Sequence, residues 1–570
     1  MMNSKRKKNI FFLTILFLLV FLFALTAFYP AESSFFPTTV PDSTENALAA
    51  YHIAKSGKCG FFLNDSWYPS RYSFILPATF FAPWVWLFSG EMMAGVYGCF
   101  SAALLLLFAL AGTGKILKSF PGVLFSIPLL LLLPQFIIFC NSAMTEIPYT
   151  ALLALALFLL VKTASKEKFS LSFLIFSAII CAWAGGIRST GYFMLFPFAL
   201  LIFSRVKEWK KRILYWGILI FPAFLTLCGT LYYNYRTFGS IRRSGYHYWC
   251  PVPYDFPSLL FDFSYAGKNF PVLLKTGILL PFLFFLFSGV LYIFLQRKKG
   301  TDLKIFSVWK WGFFFVLFHY FILFSLYIFH YFCFERFFLP ASVLALCTGS
   351  IALWRSILFF TKRKQIKKLV FAFSLAALIA AGVLNHRLSN YLTPIMTVPI
   401  TYTEITFLKF CKKYLPERSH LIVNFNPALS SFYLRKDITI LPFSRELEYA
   451  GKAVALEKIT SASVFREKMP SSPEDHFAAL QAIPGKKVIL PFSVVIADTL
   501  PAKYRISKNA WYLTERVLSC NKIFITNLAL YQLPEKYKEK FMRETRLHMV
   551  ASEGPIKLYR VYPASLTGFF

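Results

Sequence analysis

Negative charge is scarce in this chain: 27 Asp and Glu stand against 61 Lys and Arg in 570 residues, and charged residues of both signs make up 15% of the total. A soluble globular domain carries about 25%, so that class is excluded. Cysteine does not take up metal chemistry, because the ten cysteines show no metal-like pairing, and most sit inside apolar runs as small hydrophobes. Internal repeats and low-complexity tracts are also lacking, which argues against transporters built from inverted repeats. What is abundant is apolar and aromatic: 57% hydrophobic residues, 19% aromatic and a mean hydropathy of +0.56. The chain reads as a polytopic membrane protein. Its net charge of +34 is distributed as short basic clusters between apolar runs. That pattern fits cytoplasmic loops beside anionic lipid rather than nucleic-acid binding.

Apolar runs long enough to span occur near residues 9–29, 91–112, 121–140, 147–162, 170–186, 191–204, 213–233, 271–295, 306–330, 336–356 and 368–386, about eleven helices. The first follows the basic stretch MMNSKRKKN and exceeds the core of a cleavable signal, so it reads as an uncleaved anchor with exported chain after it. Residues 72–89, YSFILPATFFAPWVWLFS, are apolar but short and carry two prolines. Counting them as a span would reverse every later loop. Placed in the outer interface instead, they leave SKRKK, KILK (115–118), KTASKEK (162–168), RVKEWKKR (205–212), QRKKGTDLK (296–304) and TKRKQIKK (361–368) all inside. The N-terminus is then cytoplasmic and the C-terminus exported. Two regions follow: residues 1–386, transmembrane, with a first exported loop at 30–90, and residues 387–570, an exported soluble α/β domain. Its expected strands are HLIVNF, DITIL, KKVILPFSVV, NKIFITNLALYQL and IKLYRVY, and TEITFLKFCKKYL reads as helical. Cys59, Cys250, Cys411 and Cys520 fall in exported stretches, where a disulfide stays open.

With that topology, polar residues at helix ends collect on the exported face. Asp42 and Glu45 follow the first span, Glu146 lies in NSAMTEIPY, and Arg188 lies in GGIRSTGY. Tyr232, Tyr233, Asn234 and Arg236 lie in LYYNYRTFGS, and Glu335 and Arg336 in YFCFERFFLP. Charge at the edge of hydrocarbon is costly unless paired or useful. Each alone is an ordinary interfacial residue; together they supply carboxylates that take a proton from a hydroxyl and arginines that hold a phosphate.

Several stretches resemble the GT-C membrane glycosyltransferases, closest to the protein O-mannosyltransferase and lipid A aminoarabinose transferase group. They are PDSTENALAAYHIAKSGKCG, WYPSRYSFILPATFF, MTEIPYTALLALALFLL, AGGIRSTGYFMLFPFALL, YNYRTFGS and FERFFLPASVLAL, and YLPERSHLIVNFNPALSSFYLRKDITIL resembles the tail of bacterial members. The resemblance implies a polyprenyl-phosphate sugar donor and a catalytic base in the first exported loop. It puts Asp42 in the base role, Glu146 in the second acidic position, and Arg188 and Arg336 on the donor phosphate. Where the family has adjacent Asp-Glu, Ser43 follows Asp42 and the Glu comes at 45; Pro69-Ser70-Arg71 replaces a proline-rich motif, with Arg71 as a further cation. Glu45, His52 and Asn234 are auxiliary candidates. A divalent cation at Asp42 and Glu45 stays open, although no Asp-x-Asp pattern accompanies them, and no cofactor is expected.

The expectation is therefore an enzyme of the bacterial inner membrane. It would move sugar from a lipid-linked donor to a lipid, glycan or protein acceptor on the periplasmic face. An O-antigen ligase or polymerase is a rival, but such proteins concentrate polar residues in one large late loop and lack a soluble tail. A transporter or scaffold is the non-enzymatic rival; a transporter should place ionisable residues at mid-membrane.

Overall fold

The computed structural model describes residues 41–63, 66–70, 72–88, 96–131, 136, 139–140, 142–167, 169–238, 241, 279–299, 303–326, 334–360, 399–423, 432–434, 438–442, 522–531 and 535–564. The expected spans at 9–29 and 368–386, the expected strand KKVILPFSVV, and Arg71, Cys250 and Cys520 lie outside them. In chain order the elements are α1 (Pro41–Ser56), β1 (Gly60–Leu63), β2 (Ser66–Pro69), a π-helical turn (Pro77–Phe81), α2 (Ala82–Leu87), α3 (Val96–Ile116) and α4 (Phe120–Leu131). Then come α5 (Glu146–Ser165), α6 (Leu171–Ile187), α7 (Thr190–Phe193), α8 (Leu195–Arg205), α9 (Trp209–Phe238), α10 (Leu279–Lys299), α11 (Leu303–Leu326) and α12 (Phe334–Phe360). The rest are α13 (Pro399–Tyr414), β3 (His420–Val423), β4 (Thr439–Pro442), β5 (Ile523–Thr526), α14 (Asn527–Tyr531), α15 (Glu535–Glu544), β6 (Thr545–Glu553) and β7 (Ile556–Pro563).

Two compact units emerge. One gathers the described residues within Ile75–Thr230 and Leu260–Thr393; the other gathers those within Thr38–Phe74, Leu231–Leu259 and Pro394–Phe570. Among the described residues six helices are long and apolar enough to cross a membrane, and shorter apolar helices cover Leu171–Ile187 and Thr190–Arg205. Residues 72–88 form no long helix: the helical stretch runs over 75–87, π-helical at Pro77–Phe81, well short of the ~20 residues a span needs. Helices α5 and α12 are buried almost throughout, whereas α9 is largely exposed and turns Ile220, Phe221 and Phe224 outward. In a bilayer such apolar exposure is satisfied by lipid tails, and small residues let the inner helices approach. Gly112 of α3 lies against the Phe158 ring of α5, and Gly289 of α10 against the Phe313 ring of α11.

Three of the basic stretches meet at one end of this unit. Lys304 pairs with Glu167 at 3.1 Å, and the Arg205 guanidinium donates to the Ala164 carbonyl at 2.8 Å. These contacts bring together three of the stretches that the charge pattern assigns to one side: 162–168, 205–212 and 296–304.

In the second unit, α1 begins with Pro41 in its first turn, where its missing N–H costs nothing, and with Asp42 at the positive end of the helix dipole. Gly57, at φ +69°, ends it. A short antiparallel hairpin follows, β1 with β2. The C-terminal residues form a five-stranded sheet in the order β4-β3-β5-β7-β6, parallel among the first three strands and antiparallel beyond. Ile422, Ile523, Ile525, Phe541 and Val561 form its core. Four of the expected strand runs appear, but NLALY turns into α14, because Thr526 Oγ1 accepts the Ala529 N–H at 3.1 Å and starts a helix where the ladder would continue. Strand β6 was not legible: most of its side chains are exposed and its polar residues break the apolar alternation.

Candidate functional site

Three residues expected at separate loop positions meet in the first unit. Glu146 is the first residue of α5 and fully buried. Its Oε1 accepts from a terminal nitrogen of Arg188 and from Nε of Arg336, both as ion pairs. The two arginine side chains are 10% and 15% exposed. Two guanidinium groups share one carboxylate oxygen in a site shielded from water, where the pair interaction is strong.

Local sequence explains how Arg188 is delivered. Helix α6 stops at Ile187, Arg188 is extended (φ −140°, ψ 126°), and its N–H still bonds the Ala184 carbonyl at 2.9 Å. The chain then re-enters α7 within two residues, so Gly191 packs onto the end of α6. A Cβ there would sit 2.4 Å from the Ala184 carbonyl carbon and the Gly185 nitrogen. Only glycine allows this approach. Arg188 Nε donates to Thr145 Oγ1 at 3.1 Å, and the guanidinium lies 5.7 Å from the Tyr149 ring centroid and 5.1 Å from that of Phe337. Arg336 lies 5.8 Å from Phe337 on its other contact. Tyr149 Oη and Thr190 Oγ1 share a hydrogen bond of 2.8 Å. Aromatic faces and hydroxyls therefore hold both cations in place.

Two groups here were not picked out by the sequence reading. Tyr149 lies one turn after Glu146, on the same face of α5. His319 of α11 is fully buried, with its ring 6.2 Å from that of Tyr149 and edge-on to it. The available signal was an ionisable residue inside the apolar run FFFVLFHYFILF.

The first-loop candidates lie in the second unit. Asp42 is half-buried in the first turn of α1. Glu45 is 2% exposed and accepts a hydrogen bond from Ser70 Oγ at 3.0 Å, which ties α1 to the end of the β1–β2 hairpin. His52 is half-buried, edge-on to Tyr51 with ring centroids 5.1 Å apart. Asn234 is half-buried near the end of α9, beside Tyr233, whose ring lies 4.6 Å from that of Phe74. Cys59 is a buried free thiol. Burial pushes its pKa up to about 12 despite a hydrogen bond with Tyr233, and the Glu45 charge adds to the rise. Cys411 is free and buried as well. Among the described residues no group of three His, Cys, Asp or Glu side chains could hold a metal.

No protein-family model matches the chain, and no curated protein matches it. Solved structures do. ArnT from Cupriavidus metallidurans, in a crystal structure bound to undecaprenyl phosphate, superposes with a TM-score of 0.50 at 10% identity, covering 99% of this chain and 99% of that one. The same protein in its apo state gives 0.48 at 11% identity, covering 100% of both chains. The Archaeoglobus fulgidus oligosaccharyltransferase tethered with an acceptor peptide gives 0.38 at 11% identity, covering 80% of this chain and 67% of that one. The first of these shows that the chain shares the fold of that structure over nearly its whole length.

Proposed function

We propose that this protein is a glycosyltransferase of the bacterial inner membrane that moves a sugar from a polyprenyl-phosphate donor to a hydroxyl of a lipid A, glycan or protein acceptor on the periplasmic face. The observation that carries the reading is the buried cluster in which Arg188 and Arg336 share one oxygen of Glu146, at one end of a helical unit whose basic stretches 162–168, 205–212 and 296–304 meet at the other. The fold likeness to a protein crystallised with undecaprenyl phosphate supports it. In this reading the N-terminus is cytoplasmic and residues 387–570 are periplasmic.

Asp42 takes the proton of the acceptor hydroxyl, whose oxygen attacks C1 of the donor sugar. The bond from C1 to the phosphate oxygen breaks, its electron pair leaves with the polyprenyl phosphate, and the anomeric configuration inverts. Arg188 and Arg336 stabilise the charge gathering on that phosphate, and Glu146 holds the two guanidinium groups at the spacing the phosphate needs. Arg71 is a third candidate cation, with Glu45, His52 and Asn234 auxiliary.

The test has two parts. Mass spectrometry of envelope lipids and exported proteins from a strain lacking the gene should show one missing sugar mass. Wild type should restore it, and Asp42→Asn should not, since removing a general base lowers rates by about 10²- to 10⁴-fold. Purified protein in lipid nanodiscs should bind undecaprenyl phosphate, and Arg336→Ala should weaken binding about 10- to 100-fold, as expected for loss of a charge-assisted hydrogen bond. Near-normal restoration by Asp42→Asn would sink the base assignment.

A further inference from the structure

Glu146 and His319 each present a buried polar atom that the fold leaves unused. Oε1 of Glu146 takes both arginines, while Oε2 is buried and, among the described residues, has no hydrogen-bond partner. Neither ring nitrogen of His319 has a partner among the described residues, although the side chain is fully enclosed. Tyr149 links them: it lies one turn from Glu146 on α5, and its ring packs against that of His319. Buried polar atoms without partners are rare in native proteins, and each calls for a ligand or another explanation. An ionisable side chain within an apolar span marks a functional site by default.

The two unused groups differ in kind, and that narrows what could fill the site. A carboxylate oxygen accepts only. A neutral imidazole offers one N–H donor and one acceptor nitrogen. A phosphate would suit the arginines and the imidazole N–H, but it would be repelled by Oε2 and would leave it unsatisfied. Hydroxyl groups satisfy both, one donating to Oε2 and another donating to or accepting from the imidazole. From these placements we infer that His319 and Oε2 of Glu146 bind hydroxyl groups of the sugar on the lipid-linked donor, beside the arginines that take its phosphate. They thereby select the glycosylated carrier over the bare one. This deepens the glycosyltransferase reading and rests on it.

The experiment uses full-length protein in lipid nanodiscs, with competition between bare undecaprenyl phosphate and a panel of undecaprenyl-phosphate hexoses and pentoses read by native mass spectrometry. Wild type should prefer at least one glycosylated carrier. His319→Phe, which keeps the ring packing on Tyr149, should lower that preference about tenfold while leaving affinity for the bare carrier unchanged, the scale expected when a hydrogen-bonding group is removed from a site shaped around it. His319→Gln, which keeps a donor and an acceptor, should retain part of the preference. An undiminished preference in His319→Phe overturns the inference, as does a wild type that prefers no glycosylated carrier. Equal loss for bare and glycosylated carrier also overturns it, placing His319 on the phosphate. If wild type fails to bind any carrier, the glycosyltransferase reading falls and the inference falls with it. If Arg336→Ala loses binding while His319→Phe keeps the preference, the inference alone fails.

Discussion

The two ends of the helical unit use the same chemistry, an ion pair between residues far apart along the chain, under opposite conditions. At one end Lys304 meets Glu167 with both side chains largely in solvent, 69% and 86% exposed. At the other, Arg188 and Arg336 share a carboxylate that solvent does not reach. A surface pair adds little because water and salt screen it and two long side chains lose freedom in making it. A buried cluster is strongly coupled, because removing its shared carboxylate leaves two guanidinium groups without that counter-ion in a low-dielectric interior. The first end is built for topology, with many basic residues that are individually dispensable. The second depends on a few residues, Glu146 above all.

Glu146→Ala tests this contrast most severely. It strands two guanidinium groups and should destabilise the protein by about 3–5 kcal/mol, read as a large fall in the thermal unfolding midpoint of protein in nanodiscs. A small fall would mean that the cations are already balanced by something other than Glu146. A smaller effect is expected from Gly191→Ala, whose added methyl meets the backbone of Ala184 and Gly185. Forcing α7 off the end of α6 should cost about 1–3 kcal/mol and weaken undecaprenyl phosphate binding by displacing Arg188. Unchanged binding would show that Arg188 is positioned without the tight turn. The smallest effect belongs to Lys304→Ala, which should leave both the unfolding midpoint and carrier binding unchanged. A clear shift there would erase the distinction between the two ends.

How much could be read beforehand differs between these regions. The gathering of basic loops follows from composition alone, because a bilayer imposes sidedness on every span and the parity of one short Pro-bearing segment, residues 72–89, decides the rest. The identities of Glu146, Arg188 and Arg336 were legible as charges at helix ends. Their convergence on one carboxylate oxygen was not, since the three lie 42 and 190 positions apart along the chain and no local rule relates residues at such separations. His319 was overlooked because it sits within an apolar run without a polar neighbour pattern. Its packing on Tyr149 ties it to the cluster. In the C-terminal sheet, buried strands such as His420–Val423 were legible from their apolar content. The exposed strand Thr545–Glu553 was not, because its place is set by pairing with its neighbour rather than by burial.

The sequence by itself determined that the chain enters a membrane, which helix ends share a side, and which residues there carry charge. Each follows from transfer free energies that act residue by residue. Tertiary structure alone decided that Glu146 serves as the common counter-ion of two arginines and that His319 faces the same cluster. Those relations depend on how the helices pack against one another, and helix packing is settled by the shapes of many side chains at once.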